Sequence, residues 1–539
     1  SKPCMESHCL RLAELPRTTK LFSAFLDDFP RVDAFYRHEP SLEGVIASAK
    51  EVKFDPQVRS EVVAILRVQN RTLGSGLATN SNLDRLANGA VAIVTGQQVG
   101  LFGSPAYSFY KALEAIRTAE RLSARGIEAV PVFWLATEDH DLAEVNHSTW
   151  LTKSGLERFE AETSPESAGR QVGAIRFGSD IDGVVNAASK KLEGPGVNEV
   201  ERALRESYSA GENFGSAFGK LFARLLSKYG VILFDPLDAG LHRIAAPAFR
   251  RAIDEDASLR DALRGRGKAL EKAGFHTQVK VTGRSTLLFM NVDGKREPIR
   301  AAGDKFVAGG ITISAGELLH SIDETPELFS PNVLLRAIVQ DTLLPTVAYI
   351  GGPAEIAYMA QVEVVYAKLM NRMPAILPRP GFTLVPPHVA RLLKKYGLSL
   401  CDIFRGRQRL GAILAAGSVT KGLALRFERD EKALQKTLKG LEKPLARLDK
   451  SLLGALSTAE RKMLYQFAKL RRKAGSAEGL RSGVLARHEQ ILLDALFPQR
   501  ALQERSLCLL PFIASFGTEL LDELYKHTAS PPEHHILYL

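Results

Sequence analysis

The residues best suited to chemistry lie in a short acidic segment that also contains two histidines. Glu138, Asp139, His140 and Asp141 follow one another directly, and His147 lies six residues further on. Ionised groups lose hydration energy when they are buried, so this segment must meet a substrate amine, a metal ion, or a lysine or arginine. Carboxylates beside imidazoles suit general acid–base catalysis, because imidazole titrates near neutral pH. The candidate catalytic residues are therefore Asp139, His140, Asp141 and His147. The alternative is a solvated turn in which Asp139 or Asp141 caps a helix.

A glycine-rich turn ahead of this segment is suited to binding an anion. Residues 95–105 have the sequence Thr-Gly-Gln-Gln-Val-Gly-Leu-Phe-Gly-Ser-Pro. Ser104 followed by Pro105 is typical of a helix start, with serine at the N-cap and proline at the first helical position. The turn from Gly96 to Gly103 would then present backbone N–H groups at a helix N-terminus, where anions bind. It matches neither the dinucleotide fingerprint nor the Walker phosphate loop, so a plain tight turn is the alternative.

Short runs of β-branched and apolar residues position these two turns. Residues 90–94 and 130–136 are strand-like and flank a helical pattern that extends to about residue 125. This order predicts a right-handed βαβ unit, in which both polar turns leave the carboxyl edge of a parallel sheet. Open α/β sheets bind their ligands at that edge. We therefore expect the glycine-rich turn and the acidic segment to lie side by side.

The same strand, turn and helix pattern occurs again between residues 344 and 370. Gly351 and Gly352 form the turn, and Glu355 lies in the first turn of the helix. Glu355 either complements the helix dipole or binds a substrate hydroxyl or amine. Arg379 follows another apolar run and is a candidate clamp for a carboxylate or phosphate, with a structural salt bridge as the alternative. A parallel sheet would bring to one crevice the turns at 95–105, 138–147, 235–242, 351–358 and 379–381.

Three long motifs carry a resemblance to a known family. They are Thr-Gly-Gln-Gln-x-Gly-Leu-Phe-x-x-Pro-x-Tyr-x-x-Tyr-Lys at 95–111, Val-Pro-Val-Phe-Trp-x-Ala-x-Glu-Asp-His-Asp-x-x-Glu-x-Asn-His at 130–147, and the stretch from Gln340-Asp341 through Tyr349-Ile350-Gly351-Gly352-Pro353-Ala354-Glu355-Ile356-Ala357-Tyr358. Together with Arg379-Pro380 and residues 497–505, these motifs span nearly the whole chain. The sequence resembles the bacillithiol biosynthesis cysteine-adding enzymes, a family also called the cysteine ligases.

The resemblance implies an enzyme that joins the carboxyl group of L-cysteine to the amine of glucosaminyl-malate, the last step of bacillithiol biosynthesis. ATP is implied by the ligase class and by the anion-site argument rather than by a nucleotide motif, and participation of a metal is left open. An amide bond requires an activated carboxylate, whose charge Lys111 and the turn amides could stabilise. It also requires an uncharged amine, whose proton the acidic segment could accept. Arg379 is our candidate for binding the malate carboxylates.

The substrate- and anion-binding set follows from these motifs and turns. Its members are Thr95, Gly96, Gln97, Gln98, Gly103, Ser104, Tyr107, Lys111, Trp134, Glu138, Asn146, Tyr349, Gly351, Gly352, Glu355, Tyr358 and Arg379. The two histidines of the acidic segment are seven residues apart, whereas His-Glu-x-x-His zinc helices require four. We therefore assign no metal ligands.

The cysteines and the histidine pair near the end of the sequence also lack a metal-binding pattern. Cys4, Cys9, Cys401 and Cys508 are too scattered for a disulfide framework or a Cys-x-x-Cys site and are expected to be free thiols. His534 and His535 are adjacent, and we expect them to cap a helix or lie at the surface rather than to bind a metal.

The predicted fold is α/β, with a Rossmann-like parallel sheet core. The resemblance adds two inserted connecting-peptide subdomains and a C-terminal α-helical coiled-coil arm. The predicted core comprises 1–147, 231–250 and 336–420, the insertions 148–230 and 251–335, the arm 421–499, and a tail at 500–539 that packs back on the core. Alternating stretches at 275–320 predict a small antiparallel subdomain in the second insertion.

The predicted arm has a heptad pattern. Its leucines step by four and three residues and are Leu434, Leu438, Leu441, Leu445, Leu448 and Leu452. Pro444 predicts a kink or a restart of the helix, because proline lacks a backbone N–H. We expect the chain to fold back across residues 474–476. The resemblance implies that the arm makes a homodimer.

Composition excludes several classes of protein. The chain has no run of 18 apolar residues and no signal-like start, so we expect a soluble, cytoplasmic protein without membrane contact. Its formal net charge is +10, but the basic residues do not collect with interleaved aromatics, which disfavours a nucleic-acid-binding scaffold. Two enzymatic alternatives stay open. One is a metal-dependent amide or sugar hydrolase that uses the Glu138–His147 cluster, and the other is a nucleotidyl transferase of Rossmann-like type.

Overall fold

Five parallel strands form the sheet that positions the polar turns. In their order across the sheet, the strands are Ala375–Pro378, Thr346–Gly351, Val91–Gln97, Ala129–Leu135 and Ile232–Phe234. All four neighbouring pairs are parallel, so every carboxyl end lies at the same edge. The predicted Rossmann-like parallel sheet is confirmed in the computed structural model, which describes residues 7–417, 421–528 and 533–539.

The central strands are buried on both faces, which explains their continuous apolar sequences. Ile93, Val94 and Val132 have no exposed surface. Trp134 stacks on Phe234 of the neighbouring strand, with ring centroids 4.4 Å apart. These contacts fix the strand ends from which the functional turns leave.

The helix that follows the glycine-rich turn packs its predicted apolar stripe against this sheet. It spans Tyr107–Ser123 and buries Phe109, Leu113 and Ile116. The predicted N-cap is wrong, because the helix begins two residues after Pro105 and Ala106 occupies the cap position. Ser104 is instead turned into the core, where its Oγ accepts a hydrogen bond from Ser148 Oγ at 3.2 Å.

Three further sheets are present among the described residues. His147–Thr152 and Gly155–Glu160 form a hairpin directly after the acidic segment. An antiparallel sheet has the strand order Ile311–Ser314, Lys305–Ala308, Lys295–Ala302, Ser285–Val292 and Phe329–Pro331. It confirms the antiparallel structure expected at 275–320, whereas the insertion boundaries stay a prediction. The last sheet has the order Ser7–Leu10, His534–Tyr538 and Gly381–Val385.

Helices cover the sheets. Those before residue 384 are Lys20–Asp27, Leu42–Glu51, Pro56–Thr72, Leu77–Ala87, Tyr107–Ser123, Leu142–Val145, Asp180–Ser189, Val197–Ser207, Phe214–Leu225, Ala239–Asp254, Asp256–Lys272, Ala315–Glu324, Val333–Leu343 and Pro353–Leu369. Those after it are Pro387–Tyr396, Leu400–Phe404, Arg407–Gly417, Lys421–Leu448, Leu452–Ser482, Val484–Leu496, Gln503–Ser506, Leu510–Phe516 and Glu519–Lys526. None of the described helices is both long enough and apolar enough to cross a membrane.

Two compact units can be distinguished in the described part of the chain. The larger contains residues 7–383, 504–528 and 533–536, and the smaller contains 384–417, 421–503 and 537–539. In the larger unit, Ala106 N–H donates to Leu507 O at 2.8 Å, and Cys508 N–H donates to Thr149 O at 2.9 Å. Residues close to the end of the chain therefore pack on the sheet and its hairpin. The finer predicted domain boundaries stay predictions.

The histidine pair near the end of the sequence is buried in a strand. His534 has no exposed surface and His535 has 5%, and His534 Nε2 lies 2.8 Å from Thr383 Oγ1. The expectation of a capping or surface pair is therefore wrong. The apolar Ile-Leu-Tyr sequence that follows continues the strand and carries the two histidines into the sheet.

Two breaks predicted in the arm are also wrong, namely a restart of the helix at Pro444 and a reversal of the chain at residues 474–476, whereas a kink at Pro444 stays a prediction. Helix Lys421–Leu448 continues through Pro444, where the surrounding side chains are exposed and water can solvate the carbonyl that proline leaves unpaired. Helix Leu452–Ser482 continues through residues 474–476, since a single glycine costs a long helix only about 1 kcal/mol. The chain instead turns at residues 449–451 and at Gly483, whose φ is +64°.

Candidate functional site

The turns at the carboxyl edge of the parallel sheet surround a cavity of about 320 Å³. Ten residues of the predicted binding set line it, namely Gly96, Gln97, Gln98, Tyr107, Trp134, Tyr349, Gly352, Glu355, Tyr358 and Arg379. Three charged residues outside that set line it as well, namely Glu144, Arg336 and Arg505. A volume of this size lies within the usual range of small-molecule binding sites.

The glycine-rich turn and the acidic segment meet directly. Gln98 Nε2 donates to Asp139 Oδ2 at 2.7 Å. Ala136 N–H donates to Gln97 O at 3.0 Å. The contact arises because the strands that lead into the two segments are parallel neighbours in register. The expected position of the two turns side by side is confirmed.

Lys111 is buried beside the cavity and fixes its wall. Its Nζ lies 2.5 Å from Glu355 Oε2 and donates to Gly96 O at 2.7 Å and to Gln97 Oε1 at 3.0 Å. Glu355 also accepts hydrogen bonds from Tyr349 Oη at 2.6 Å and from Gly352 N–H at 2.7 Å. Three acceptors use all the N–H groups of an ammonium. Lys111 therefore holds the two glycine turns together rather than contacting a ligand.

The lysine and glutamate of this pair are both charged at neutral pH. Burial lowers the pKa of Lys111 to about 8, against the attraction of Glu355. Burial acts to raise the pKa of Glu355, but Lys111 and the Gly352 N–H hold it below its ordinary value. Removing either partner would leave a buried charge without compensation, which is strongly destabilising.

Two arginines at the cavity have no carboxylate partner among the described residues. Arg336 Nη2 donates to Tyr358 Oη at 2.7 Å and to Tyr349 Oη at 3.3 Å. Burial raises the pKa values of both tyrosines, so they stay neutral, and Glu355, the carboxylate that attracts Arg336, is already paired with Lys111. Arg505 is exposed at the cavity wall. The cavity is therefore electropositive and suits an anionic ligand.

A third arginine is held by a buried carboxylate. Arg379 Nη2 donates to Glu504 Oε1 at 2.6 Å, and Arg379 Nη1 donates to Pro380 O at 2.8 Å. The guanidinium lies 4.8 Å from the centre of the Tyr107 ring. The salt bridge named above as the alternative for Arg379 is therefore present, although the residue also lines the cavity.

Glu144 places a carboxylate at the cavity wall. It lies in the short helix Leu142–Val145, whose N-cap is Asp141. Loss of hydration at the wall raises the pKa of Glu144, and the Asp141 carboxylate raises it further. No described lysine or arginine forms a salt bridge with Glu144. A carboxylate whose pKa is raised in this way is suited to accept a proton.

The two candidate catalytic aspartates do not line the cavity. Asp141 Oδ1 accepts a hydrogen bond from the Glu144 N–H at 3.3 Å. Asp141 therefore caps the short helix, which is the alternative to a catalytic role given above. Asp139 contacts the cavity wall through Gln98 and also accepts the His140 N–H at 2.7 Å. Both aspartates position neighbouring residues of the site.

The two candidate catalytic histidines also face other partners. His140 Nδ1 lies 3.1 Å from Arg296 Nη1, and His147 Nδ1 lies 3.3 Å from Asn146 Oδ1. Within the part of the chain that is described, no side chains of the Glu138–His147 segment have the mutual spacing of metal ligands. This arrangement gives no support to the hydrolase alternative.

Six further residues of the predicted binding set have structural partners and do not line the cavity. They are Thr95, Gly103, Ser104, Glu138, Asn146 and Gly351. Thr95 Oγ1 donates to Ile350 O at 2.9 Å across neighbouring strands. Burial raises the pKa of Glu138, whose carboxylate lies 3.4 Å from His242 Nε2. Their contacts shape the strand ends rather than the ligand site.

Sequence reasoning assigned no role to Glu144, Arg336 or Arg505. Glu144 and Arg505 lie inside motifs quoted above, at 130–147 and 497–505. Arg336 is the single charged residue between Val333 and Val339 of an apolar helix. A lone arginine in an apolar helix needs a partner or a ligand. This pattern in the sequence could have indicated a role for Arg336.

Comparison with known proteins covers nearly the whole chain. The family model described as bacillithiol biosynthesis BshC, N-terminal Rossmann-like domain, matches residues 5–380. The model described as bacillithiol biosynthesis BshC, C-terminal coiled-coil domain, matches residues 382–539.

Curated relatives match over almost their full lengths. A protein of Koribacter versatilis named "Putative cysteine ligase BshC" is 43% identical over 98% of this chain and 99% of its own. Proteins of the same name from Solibacter usitatus and Symbiobacterium thermophilum are 38% and 32% identical. They cover 97% and 93% of this chain and 97% and 94% of their own.

Proposed function

Because this chain belongs to the BshC family of bacillithiol biosynthesis, we propose that it is a cysteine ligase that forms a carbon–nitrogen bond in the cavity described above. The reaction joins the carboxyl group of L-cysteine to the amine of glucosaminyl-malate, as the last step of bacillithiol biosynthesis. The observation that carries the proposal is a small cavity lined by two arginines that form no salt bridge among the described residues and by one carboxylate, Glu144, whose pKa is raised. That charge pattern matches a dicarboxylate substrate whose amine must lose a proton.

Arg336 and Arg505 are the residues that we assign to the malate carboxylates. Guanidinium groups bind carboxylates through paired N–H donors. Arg379, the sequence-based candidate, has its charge matched by Glu504, so its contribution is to shape the wall and to hold Tyr107.

Glu144 is the proton acceptor in this proposal. An amine attacks a carboxyl carbon only when uncharged, and Glu144 is the cavity carboxylate without a bound cation among the described residues. Asp139 holds Gln98 in the wall. The amides of Gln97 and Gln98 and the N-terminus of helix Pro353–Leu369 then stabilise the negative charge that develops on the cysteine carboxyl oxygen.

ATP, which would activate the cysteine carboxylate, is implied by the ligase class alone, and no residue that lines the cavity is assigned to it. The sequence also lacks the Gly-x-x-x-x-Gly-Lys-Ser/Thr loop that cradles phosphates. We therefore derive no step through ATP.

The direct test incubates the full-length protein with L-cysteine, glucosaminyl-malate and each of several nucleotides, and identifies the products by mass. The proposal expects a product whose mass equals the sum of both substrates less one water. Absence of that product with every nucleotide tested, by a protein shown to be folded, would refute the proposal.

Replacing Arg505 with glutamine tests the assignment of the malate site. We expect the KM for glucosaminyl-malate to rise about 10–100-fold, because a hydrogen bond to a charged group contributes roughly 1.5–3 kcal/mol. The KM for cysteine should not change. Arg505 is exposed, so the variant should fold normally. The matched control is Arg67→Gln, at an exposed arginine outside the cavity. An equal rise in both KM values would contradict the assignment.

We also propose that the chain forms a homodimer through its helical arm. In helix Lys421–Leu448, the heptad residue Leu438 is buried, but Leu441 is 44% exposed and Leu448 is 80% exposed. A second copy could cover these leucines. Light scattering should give twice the chain mass of 59.0 kDa. Leu448→Lys should shift the mass toward a monomer, whereas Gln435→Lys, an exposed change of equal charge on the same helix, should not.

A further inference from the structure

Cys9, Glu533 and His535 lie together at a place that the ligase reaction does not use. Cys9 Sγ is 3.2 Å from His535 Nδ1. One potential ligand atom from each of the three residues lies within 4.8 Å of the other two. Cys9 belongs to strand Ser7–Leu10 and His535 to strand His534–Tyr538, which are neighbours in one sheet. The cluster therefore joins residues 526 positions apart in sequence.

We propose that Cys9, Glu533 and His535 bind a zinc ion that fastens the first strand to the last. A thiolate, a carboxylate and an imidazole are all established zinc ligands, and three protein ligands leave a fourth position for water. The thiolate and the imidazole favour zinc over magnesium and calcium, which prefer oxygen ligands.

The charges of the three ligands also suit a divalent cation. The thiolate and the carboxylate each carry one negative charge when bound, so a divalent ion gives a neutral site. Among the described residues, no lysine or arginine forms an ion pair with Glu533. A metal would therefore provide the positive charge that this cluster otherwise lacks.

The protonation of the cluster argues against the other use of a cysteine and a histidine, a nucleophilic pair. Partial loss of hydration, and then Glu533, raise the pKa of Cys9 to about 11, so the thiol stays protonated without a metal. Burial lowers the pKa of His535 to about 4, so its imidazole stays neutral. A catalytic pair requires the opposite charges.

The ring of His535 is held in place by aromatic neighbours. It stacks on Phe382 with ring centroids 5.1 Å apart and an angle of 28° between the planes. The ring of His527 lies on another side, with centroids 5.4 Å apart. The exposed Cys9 leaves the cluster open to an entering ion. A fixed imidazole with an open approach is the arrangement that a preformed metal site requires.

Cobalt substitution tests the site directly, with the full-length protein after removal of metals by a chelator. We expect one equivalent of Co²⁺ to bind and to give the near-ultraviolet charge-transfer band of a cobalt–thiolate bond. Zn²⁺ should displace the cobalt and Mg²⁺ should not. Cys9→Ser should abolish the band and weaken metal binding at least about tenfold. Glu533→Gln should weaken binding but keep the band.

Two cysteine controls identify the ligand. Cys401→Ser removes another exposed thiol and should leave the band unchanged. Cys4 lies outside the described residues, and Cys4→Ser should also have no effect. The proposal is overturned if the wild-type protein shows no saturable binding, if Cys9→Ser keeps the band, or if Cys4→Ser removes it. These readouts do not depend on ligase activity. Failure of the zinc proposal can therefore be distinguished from failure of the proposed function.

Discussion

Replacing Glu144 with glutamine is expected to lower kcat for amide formation about 10²–10⁴-fold, the usual contribution of a positioned general base. Glutamine keeps the size and shape of the side chain but cannot accept a proton. The KM values should change little, because the cavity arginines that bind the substrate remain. Steady-state kinetics with cysteine and glucosaminyl-malate measure both quantities.

The pH profile gives an independent check on the role of Glu144. Loss of hydration and the Asp141 carboxylate raise its pKa, and only the carboxylate form accepts a proton. Activity should therefore be present above the raised pKa and decline as the pH falls through it. That decline should begin at a higher pH than for an ordinary glutamate. The Glu144→Gln enzyme should lose this limb of the profile.

Asp141→Asn is the matched control for this prediction. Asparagine also caps helices, so the short helix that carries Glu144 should keep its start. We expect kcat to fall much less than in Glu144→Gln. If Asp141 were the catalytic residue, as the sequence suggested, kcat would fall more in Asp141→Asn than in Glu144→Gln. If Asp141→Asn loses as much kcat as Glu144→Gln, or if the latter keeps wild-type turnover, Glu144 is not the base.

The part of the fold that the sequence predicted well is the part governed by local patterns. Apolar runs at 90–94 and 130–136 become buried parallel strands because only a strand covered on both faces tolerates such continuous hydrophobicity. Because parallel strands run in the same direction, the turns that follow them lie at the same edge of the sheet. The contact between Gln98 and Asp139 is a consequence of that rule, and no knowledge of side-chain partners was needed to expect it.

The details of the site depend on partners that are distant in sequence, and here local patterns fail. His140 meets Arg296, 156 positions away, and Arg379 meets Glu504, 125 positions away. The residues near each partner in the sequence do not indicate either contact. Arg505 lies in a quoted motif, but nothing in that motif indicates that it reaches the cavity from a segment far beyond the sheet. A residue type indicates what chemistry is available, but only the fold determines which groups it faces.

The arm shows a different limit. Pro444 and the sequence Ala474-Gly475-Ser476 are helix-breaking signals, yet the helices continue through both. Breaking signals of this kind cost roughly 1–3 kcal/mol, and a helix of about 30 residues can bear that cost. The termination at Gly483 was not predicted, although a glycine with positive φ is the most common way to end a helix.

Breaking the buried pair of Arg379 and Glu504 is expected to give the largest loss of stability. Removing one partner of a buried ion pair typically costs about 3–5 kcal/mol, because the other charge remains buried. The exposed fractions of the two side chains are 6% and 2%. Glu504 Oε2 also accepts the Phe382 N–H at 2.8 Å. Glu504→Gln should therefore lower the free energy of unfolding by about that amount, as measured by urea titration.

The neighbouring histidine does not compensate for the lost charge. Burial lowers the pKa of His534 to about 4, so it is neutral near pH 7, and Arg379 alone balances Glu504. Burial acts to raise the pKa of Glu504, but Arg379 and the Phe382 N–H hold it below its ordinary value. The pair therefore stabilises the fold fully above the ordinary glutamate pKa. This stabilisation is lost as the pH falls through the depressed value.

A double variant separates the energy of the pair from the cost of an unpaired charge. Arg379→Met combined with Glu504→Leu removes both charges and should be more stable than Glu504→Gln, because no isolated charge stays buried. Arg67→Met breaks an exposed ion pair of similar length with Asp84 and should cost only about 0–1 kcal/mol. If Glu504→Gln costs no more than Arg67→Met, the buried pair does not stabilise the wall of the cavity. Arg379 would then have to be held by Tyr107 and Pro380 alone.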